Sequence, residues 1–297
     1  MGTELKTWTV ITGSTGGLGA ELARQLAARG DALILLNRSA SKARAQREEL
    51  LGEYPELTLE LVAADFMNFT EIRAAILKIN EFPGRIDALY NVSGLLTAKK
   101  VLSVQGYESH FAVNTVAPYL LIQGLRSKMA RPAGDAPAMI VNLSSSAING
   151  LKALNLDDLP DPDDVGGLFT TYAQSKLALT TLAPALAPEL ELQNILIRAI
   201  DPGATRTPMT TQGNTGMPKI LAWIAPVLFA PADKQAAKVV ASAQPSAHDG
   251  RTGLYIANRK VKKLPAPAAD ARNQRSLLEL LDGLLARGVQ SPAAEAI

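Results

Sequence analysis

A tyrosine and a lysine four residues apart, Tyr172 and Lys176, are the side chains in this sequence best suited to proton transfer. Residues at this spacing lie on one face of a helix. A phenol has an unperturbed pKa of about 10, and a nearby ammonium stabilises the phenolate and brings that pKa toward the range useful for acid–base catalysis. The spacing is also common in ordinary helices, so the chemistry depends on what the fold places beside the pair.

Three serines, Ser144, Ser145 and Ser146, are candidates for such neighbours. They follow an apolar run at residues 138–143 that is typical of a buried strand. Open α/β sheets bind ligands at the carboxyl ends of their strands, so hydroxyl groups here are placed to contact a substrate. Serines at a strand end are otherwise ordinary turn formers. Both interpretations stay open from these residues alone.

A glycine-rich segment follows the first strand-like run. Residues 12–19 read TGSTGGLG and lead into a helix-period segment. Glycines permit a tight turn and close approach to a diphosphate, and the free N–H groups at the start of the helix attract an anion. The segment therefore predicts a phosphate cradle. A tight turn without a ligand is the alternative.

The residues after the second strand predict which dinucleotide binds. An acidic residue there contacts a ribose 2′-hydroxyl, and an arginine contacts a 2′-phosphate. This chain has Asn37, Arg38 and Ser39 at that point and no carboxylate. Because an arginine fork matches a phosphate bidentately, NADP(H) is favoured over NAD(H). A solvated surface arginine is the alternative.

The elements that must position these residues alternate between strand-like and helix-like segments. This alternation predicts an α/β fold, a doubly wound (Rossmann) sheet of seven parallel strands with helices on both faces. Strands are predicted at residues 8–12, 32–36, 57–63, 87–92, 138–143, 194–200 and 254–257. Helices are predicted at residues 18–29, 42–51, 69–80, 106–130, 170–189, 234–242 and 274–285.

Composition excludes several function classes. The chain has 297 residues, a net charge of +2, no cysteine and two histidines. It therefore lacks the excess of positive charge expected of a nucleic-acid binder, and it lacks the ligands for zinc or iron–sulfur chemistry, so no metal is expected. One domain over 1–297 is expected, with an insertion at 151–168 and an irregular segment at about 204–231.

No stretch of the sequence resembles a membrane span or a signal peptide. The longest apolar stretch, residues 217–230, contains Lys219 and two prolines and is shorter than a span requires. No basic stretch followed by an apolar segment opens the sequence. A cytoplasmic location is therefore expected.

Taken together, the motifs resemble those of the short-chain dehydrogenases/reductases. The resemblance is carried in family order by Thr12-Gly-x-x-x-Gly-x-Gly19, Asp65, Asn91-Val-Ser-Gly94, Asn114 in Phe111-Ala-Val-Asn-Thr, Ser145, Tyr172-x-x-x-Lys176 and Pro202-Gly203. The long interval from Ser145 to Tyr172 and the segment Gly253-Leu-Tyr-Ile, with the basic tail that follows it, are most similar to the retinol dehydrogenase and protochlorophyllide reductase subgroup. One departure is Val92-Ser93, where the family usually has Asn-Ala.

The resemblance implies a role for each residue of the site. Tyr172 would be the acid/base, Lys176 would lower its pKa and hold the nicotinamide ribose, Ser145 would contact the substrate oxygen, and Asn114 would complete a proton relay. Ser145 is chosen over its two serine neighbours because the family's catalytic hydroxyl lies on the second serine. The implied cofactor-binding residues are Gly13, Ser14, Thr15, Gly17, Leu18, Gly19, Arg38, Asp65, Phe66, Asn91, Ser93, Gly94, Tyr172, Lys176, Pro202, Gly203, Thr205 and Thr207.

The expected function is hydride transfer with NADP(H) between a carbonyl and an alcohol. The segment at about 204–231 falls where the family places its substrate lid, and apolar residues such as Trp223 and Phe229 favour a bulky apolar substrate. Packing of that lid on the body or on another subunit explains the same residues. A non-catalytic NADP(H)-sensing regulator is the alternative function. A homo-oligomer and weak contact with a membrane surface stay open.

Overall fold

Eight strands form a single sheet in the computed structural model, which describes residues 6–163, 169–205 and 229–286. In chain order the strands are β1 (Thr7–Thr12), β2 (Ala32–Asn37), β3 (Leu59–Ala63), β4 (Arg85–Asn91), β5 (Ala138–Leu143), β6 (Ile195–Asp201), β7 (Leu254–Ala257) and β8 (Lys260–Lys262). Their spatial order is β3-β2-β1-β4-β5-β6-β7-β8. The first seven strands are parallel, as the sequence predicted. The strand order reverses between β1 and β4, where doubly wound sheets open a ligand crevice.

The eighth strand differs from the predicted seven. β8 pairs antiparallel with β7 through a turn at Asn258 and Arg259, whose φ angles of 50° and 61° are both left-handed. Two such residues make the turn that matches the twist of a hairpin. All three residues of β8 are exposed, so no alternation of apolar and polar residues indicated a strand there.

Helices cover both faces of the sheet. They are α1 (Gly17–Ala28), α2 (Ala40–Glu53), α3 (Phe69–Glu81), α4 (Ser109–Phe111), α5 (Ala117–Met129), α6 (Thr170–Glu191), α7 (Ala232–Ala243), α8 (Ala266–Ala269) and α9 (Ala271–Ala286). No helix among the described residues is long and apolar enough to cross a membrane.

Alternating strand residues build the two halves of the core. On β2, Ile34 and Leu36 contribute to the cluster that includes α3, α5 and α6, whereas Leu33 and Leu35 contribute to the cluster that includes α1 and α7. Successive side chains of a strand point to opposite faces, so a strand covered on both faces is apolar throughout. This explains why the sequence located the central strands so closely.

One predicted helix is interrupted. The sequence predicts a continuous helix at 106–130, but the structure has α4, a π-helical turn at Ala112–Val116, and then α5. The π-helical turn contains Asn114. Such turns often occur at functional sites, and they leave little trace in the hydrophobic period.

The C-terminal helix α9 covers part of the outer surface of α5 and α6. Leu277 and Leu281 of α9 are buried, and the Tyr119 hydroxyl on α5 donates a hydrogen bond of 2.5 Å to Asp282. α8 and α9 both lie against α6. Part of the α5 and α6 surface is thus occupied by the chain's own C-terminal segment.

Arg198 on β6 is fully buried and holds the loop that follows α7. Its guanidinium donates five hydrogen bonds of 2.7 to 3.1 Å to backbone carbonyls, those of Ser242, Gln244, Pro245, Ala247 and Arg251. Burial, and then the charge of Arg251, lowers the pKa of Arg198 to about 10. These carbonyls are therefore stabilised by a cation with no carboxylate bound to it among the described residues.

We expect Arg198→Met to lower the free energy of unfolding by about 3 to 5 kcal/mol, because the carbonyls lose a charged donor and become buried without partners. Urea unfolding measures the change. The matched control is Arg47→Met at an exposed position of α2, with an expected change of about 0.5 kcal/mol or less. Equal stability of the two variants would contradict this role for Arg198.

Candidate active site

A crevice of about 720 Å³ opens at the carboxyl ends of the parallel strands. It extends from the glycine-rich turn after β1 to the side chains of Tyr172 and Lys176 on α6. The ends of β4, β5 and β6 form its floor, through residues such as Gly94, Ser145 and Asp201. It therefore lies where the strand order predicts a ligand site.

The glycine-rich turn provides a cradle that larger residues would close. Gly13 and Gly17 have left-handed φ angles of 67° and 54°, and a Cβ on Gly19 would lie only 2.2 Å from the Gly13 carbonyl oxygen. No described side chain caps the N-terminus of α1, and its first turn has no acidic residue. Because the first N–H groups of a helix lack partners within it, this end suits a diphosphate.

Ser14 lies behind this turn. It is fully buried, donates a hydrogen bond to Gln46 Oε1 (2.8 Å), and accepts one from Asn37 Nδ2 (2.8 Å). Gln46 Nε2 also donates to the Ser14 carbonyl oxygen at 2.6 Å. Ser14 is not among the residues that line the crevice, whereas Gly13, Thr15, Gly17, Leu18 and Gly19 are. The Ser14 side chain thus joins the turn to β2 and α2, and its contact with a cofactor stays a prediction.

The turn after β4 approaches the glycine-rich turn closely. Thr12 Oγ1 accepts hydrogen bonds from the N–H groups of Val92 (2.9 Å) and Ser93 (3.0 Å). A Cβ on Gly13 would lie 2.9 Å from Ser93 Cα. Ser93 and Gly94 line the crevice, but Asn91 is buried beneath them and donates to Asn142 Oδ1 at 2.9 Å. The Val92-Ser93 departure from the family pattern leaves this backbone approach intact.

The residues predicted to contact the adenosine end of a cofactor do not line the crevice. Arg38 is exposed at the end of β2, and Lys42, in the first turn of α2, lines the crevice. Asp65 Oδ1 accepts from the Met67 N–H at 3.0 Å, and Phe66 is buried in the core. Neither Asp65 nor Phe66 lines the crevice. The sequence alone did not distinguish Lys42 from an ordinary charged residue on a helix surface. The structure places it in the crevice lining.

Tyr172, Ser145 and Lys176 meet at the far end of the crevice. Ser145 and Tyr172 both line the crevice here, and the Ser145 hydroxyl lies close enough to lower the pKa of the phenol. Lys176 is only 4% exposed and donates from Nζ to the Leu143 carbonyl oxygen at 2.8 Å. The structure therefore brings three of the predicted catalytic residues to one place.

The neighbouring serines have other contacts. The Ser144 hydroxyl is buried and lies 2.7 Å from Thr180 Oγ1, and the Ser146 side chain is exposed. Ser145 Oγ also accepts the Ala147 N–H at 3.2 Å, which starts the short turn at Ser146–Ile148. The geometry favours Ser145 as the serine beside the phenol.

Asn114 stabilises the wall next to this cluster. Its side chain accepts from the Leu95 N–H at 2.8 Å and donates to the Leu95 carbonyl oxygen at 3.1 Å. It also donates to Ser175 Oγ on α6 at 3.0 Å. Asn114 thus joins the segment after β4 to the helix that carries Tyr172 and Lys176.

Burial sets the electrostatics of the site. It raises the pKa of Tyr172, and the nearby Ser145 hydroxyl only partly offsets this. Burial also lowers the pKa of Lys176 to about 8, and the negative charge of Asp201 partly offsets this. The phenol is therefore protonated at neutral pH, and Lys176 titrates close to neutrality.

Asp201 is a site residue that the sequence analysis missed. It ends β6, lines the crevice, and accepts the Gly203 N–H at 2.8 Å. Burial raises the pKa of its own carboxyl group. A carboxylate directly before Pro202-Gly203 at a strand end was the available signal.

The insertion and the lid segment are described in part. Pro202, Gly203 and Thr205 line the crevice, and Thr205 pairs with Ala230, so the two ends of the lid segment meet there. Residues 206–228, with the predicted cofactor residue Thr207, lie outside the described residues, as do 164–168. Phe169 and Phe229, the first described residues after these two ranges, line the crevice.

The chain is similar to known dehydrogenases in sequence and fold. The family model for short chain dehydrogenases matches residues 7–155. The chain is 31% identical to short-chain dehydrogenase TIC 32 A, chloroplastic, of Brassica napus over 70% of this chain and 67% of that protein. It is 30% identical to human retinol dehydrogenase 13 over 67% of this chain and 59% of that protein.

Solved structures share the fold. A short-chain dehydrogenase from Sphingobium yanoikuyae in complex with NADPH is 22% identical and has a TM-score of 0.64, with 95% of this chain and 96% of that chain covered. With the family match over half of the chain and the crevice described above, this protein belongs to the short-chain dehydrogenase/reductase family, as its motifs predicted.

Proposed function

We propose that this protein is an NADP(H)-dependent oxidoreductase that interconverts a carbonyl and an alcohol by hydride transfer, on a bulky apolar substrate. The observation that carries the proposal is the meeting of Tyr172, Ser145 and Lys176 at one end of a crevice whose other end is a glycine cradle. Acid–base groups and an anion cradle on one crevice suit a reaction between a dinucleotide and a small molecule.

The residues present suit a dinucleotide. The N-terminus of α1 would hold the diphosphate, the turns at Ser93 and Gly203 would border the nicotinamide, and Lys176 would contact its ribose. A bound nicotinamide supplies the hydride donor or acceptor. The protein's work is then to orient the substrate carbon and to move one proton.

Tyr172 moves that proton in the proposed mechanism. Because burial raises the pKa of Tyr172, the phenol is protonated at neutral pH and can donate its proton to the substrate oxygen during reduction. The Ser145 hydroxyl donates a hydrogen bond to the same oxygen as negative charge builds there. In the oxidative direction Tyr172 takes the proton, and the charged Lys176 stabilises the phenolate.

The preference for NADP(H) rests on positive charge at the end of β2. Arg38 is exposed there, and Lys42, in the first turn of α2, lines the crevice. Among proteins of similar fold, the Sphingobium yanoikuyae dehydrogenase is an NADPH complex. A guanidinium matches a 2′-phosphate, whereas a carboxylate at this point would repel it.

We expect Arg38→Asp to raise the KM for NADPH relative to that for NADH about 10- to 100-fold, because a charged hydrogen bond is replaced by repulsion. Steady-state kinetics with both cofactors measure the ratio. Arg44→Asp, the same change at an exposed position of α2 outside the crevice lining, is the control. An unchanged cofactor preference in Arg38→Asp would contradict the assignment.

Apolar residues around the substrate end support a bulky apolar substrate. Leu96, Phe169 and Phe229 line the crevice there. The test is a panel of ketones and aldehydes of graded size and charge, assayed by NADPH consumption at about 340 nm. Preference for small charged carbonyls would contradict the substrate class, and NADPH binding without turnover of any carbonyl would favour a regulator.

A further inference from the structure

Glu108 and His110 form a buried titratable pair that the proposed mechanism does not use. Their exposed fractions are 0% and 1%. His110 Nδ1 and Glu108 Oε1 are 2.9 Å apart. Charged or titratable residues are seldom buried completely unless each has a partner, so the neighbours of this pair indicate what it does.

The carboxylate of Glu108 is fully occupied by donors. Oε1 accepts from Ser109 Oγ at 2.9 Å, and Oε2 accepts from the N–H groups of His110 (2.8 Å) and Phe111 (3.1 Å). Burial raises the pKa of Glu108, but the hydrogen bonds from the His110 side chain and from these two amides lower it by more. The pKa of Glu108 is therefore below its usual value. Glu108 is therefore an anion, and it accepts a hydrogen bond from the Nδ1–H group of His110.

This contact fixes the other nitrogen of the imidazole. When a carboxylate accepts from Nδ1–H, the neutral ring has a lone pair on Nε2. Nε2 lies 3.1 Å from the backbone nitrogen of Thr97 and accepts its N–H. His110 thus connects an anion at the start of α4 to the segment that follows β4.

His110 and Asn114 hold this segment together. They are four residues apart, and Asn114 binds both backbone groups of Leu95 while His110 binds the N–H of Thr97. Leu96, between the two held residues, and Gly94, just before them, line the crevice. The two side chains therefore fix one wall of the substrate end.

The imidazole also contacts the phenol. The ring centroids of His110 and Tyr172 are 6.1 Å apart and the ring planes meet at 75°. Edge-to-face pairs at this distance are favourable and restrict the orientation of both rings. A displaced Tyr172 ring would move the phenol away from the Ser145 hydroxyl that lowers its pKa.

We propose that His110 is a positioning residue for the reaction proposed above: oriented by Glu108, its imidazole holds the crevice wall at Thr97 and the ring of Tyr172. The proposal rests on the proposed function for its effect on rate. Its effect on structure can be measured without turnover.

The first test uses the wild-type protein. The ¹⁵N chemical shifts of His110 at about pH 7 should show a neutral ring protonated on Nδ1. The Thr97 amide should exchange slowly with solvent, since its N–H is bonded inside the protein. A ring protonated on Nε2, or a rapidly exchanging Thr97 amide, would overturn the proposal whether or not the enzyme turns over.

The second test uses two substitutions. His110→Asn keeps an N–H donor near Glu108 but removes the acceptor for Thr97 and the ring beside Tyr172. We expect kcat to fall about 10- to 100-fold, the affinity for NADPH to stay within about twofold, and exchange of the Thr97 amide to quicken while that of Leu95 does not. His110→Gln, whose longer side chain can again accept the Thr97 N–H, should recover part of the loss.

The pH profile separates positioning from a general loss of structure. Burial raises the pKa of Tyr172, the nearby Ser145 hydroxyl lowers it, and the Asp201 carboxyl group raises it; His110 packs edge-to-face on the ring, and Lys176 lines the same crevice. In His110→Asn the phenol should move away from the Ser145 hydroxyl, so its pKa should rise and the rate of alcohol oxidation should increase at a higher pH than in the wild type. His248→Asn is the control, since His248 lies far along the chain with a φ of 55° that asparagine tolerates.

The outcomes distinguish the two proposals. A wild-type protein that reduces no carbonyl removes the proposed function, and the ring tautomer and Thr97 exchange still decide whether His110 holds the wall. A wild-type enzyme whose His110→Asn variant has the same kcat, pH profile and Thr97 exchange overturns the inference alone.

Discussion

Replacing Tyr172 with phenylalanine is expected to lower turnover about 10²- to 10⁴-fold and to leave the affinity for NADPH within about twofold. The substitution removes the proton that the substrate oxygen receives and keeps the ring that packs beside His110. Steady-state kinetics with NADPH and a ketone substrate, together with NADPH titration by fluorescence, measure the two effects separately.

Tyr107→Phe is the matched control for that substitution. Tyr107 stacks on Phe69 with ring centroids 5.8 Å apart, away from the crevice lining. Loss of its hydroxyl should leave turnover unchanged. Activity of the same order in Tyr172→Phe and the wild type would contradict the assignment of Tyr172 as the acid/base.

The sequence was most informative where one physical requirement decided the residue type. Strands buried on both faces must be apolar throughout, which is why β5 was predicted at the residues where it occurs. β8 and the π-helical turn at Ala112–Val116 were missed because neither depends on a hydrophobic period. β8 depends on two left-handed residues, and the π-helical turn places Asn114 against Leu95.

The residues of the site likewise divide into those that the sequence identifies and those that it does not. Gly13, Gly17 and Gly19 were identifiable because the turn allows no larger residue at left-handed or crowded positions. Ser14 was assigned to the cofactor from its place in the motif, yet its hydroxyl faces Gln46 and Asn37. A motif fixes the backbone path but not the direction of each side chain.

Long-range pairing accounts for the residues that were missed. Burial raises the pKa of the Asp201 carboxyl group, and Tyr255 on β7 and Lys176 on α6, both distant in the chain, lower it. His110 gains its role from Thr97 and Tyr172, which are distant in the chain. Neither residue belongs to a short motif, so only the folded structure shows what it contacts.

The second large effect is expected on substitution of Lys176. The burial that brings its pKa near neutrality also lowers the stability of the fold. Its ammonium is 4% exposed, and burial lowers its pKa to about 8 from a value of 10.5 in the absence of the fold. The folded chain therefore binds this proton less tightly than the unfolded chain does. Below about pH 8 the charged lysine destabilises the fold, and this cost diminishes as the pH rises from about 8 to 10.5.

Lys176→Met should therefore make the protein inactive and more stable. The cost of burying the charge is roughly 3 kcal/mol. Because the variant also loses the hydrogen bond to the Leu143 carbonyl oxygen, we expect a net gain of about 1 to 3 kcal/mol in the free energy of unfolding near neutral pH. Turnover should fall about 100-fold or more, since the phenolate of Tyr172 loses its nearby cation.

Urea unfolding at about pH 6.5 and pH 9.5 tests the stability effect and its sign together. The gain in Lys176→Met should be largest at the lower pH and should shrink at the higher, where the wild-type lysine is already neutral. Lys234→Met, at an exposed position of α7, should change stability by about 0.5 kcal/mol or less at both values. A Lys176→Met variant less stable than the wild type at the lower pH would mean that the buried ammonium stabilises the fold, and the site would then hold its charge without a cost to stability.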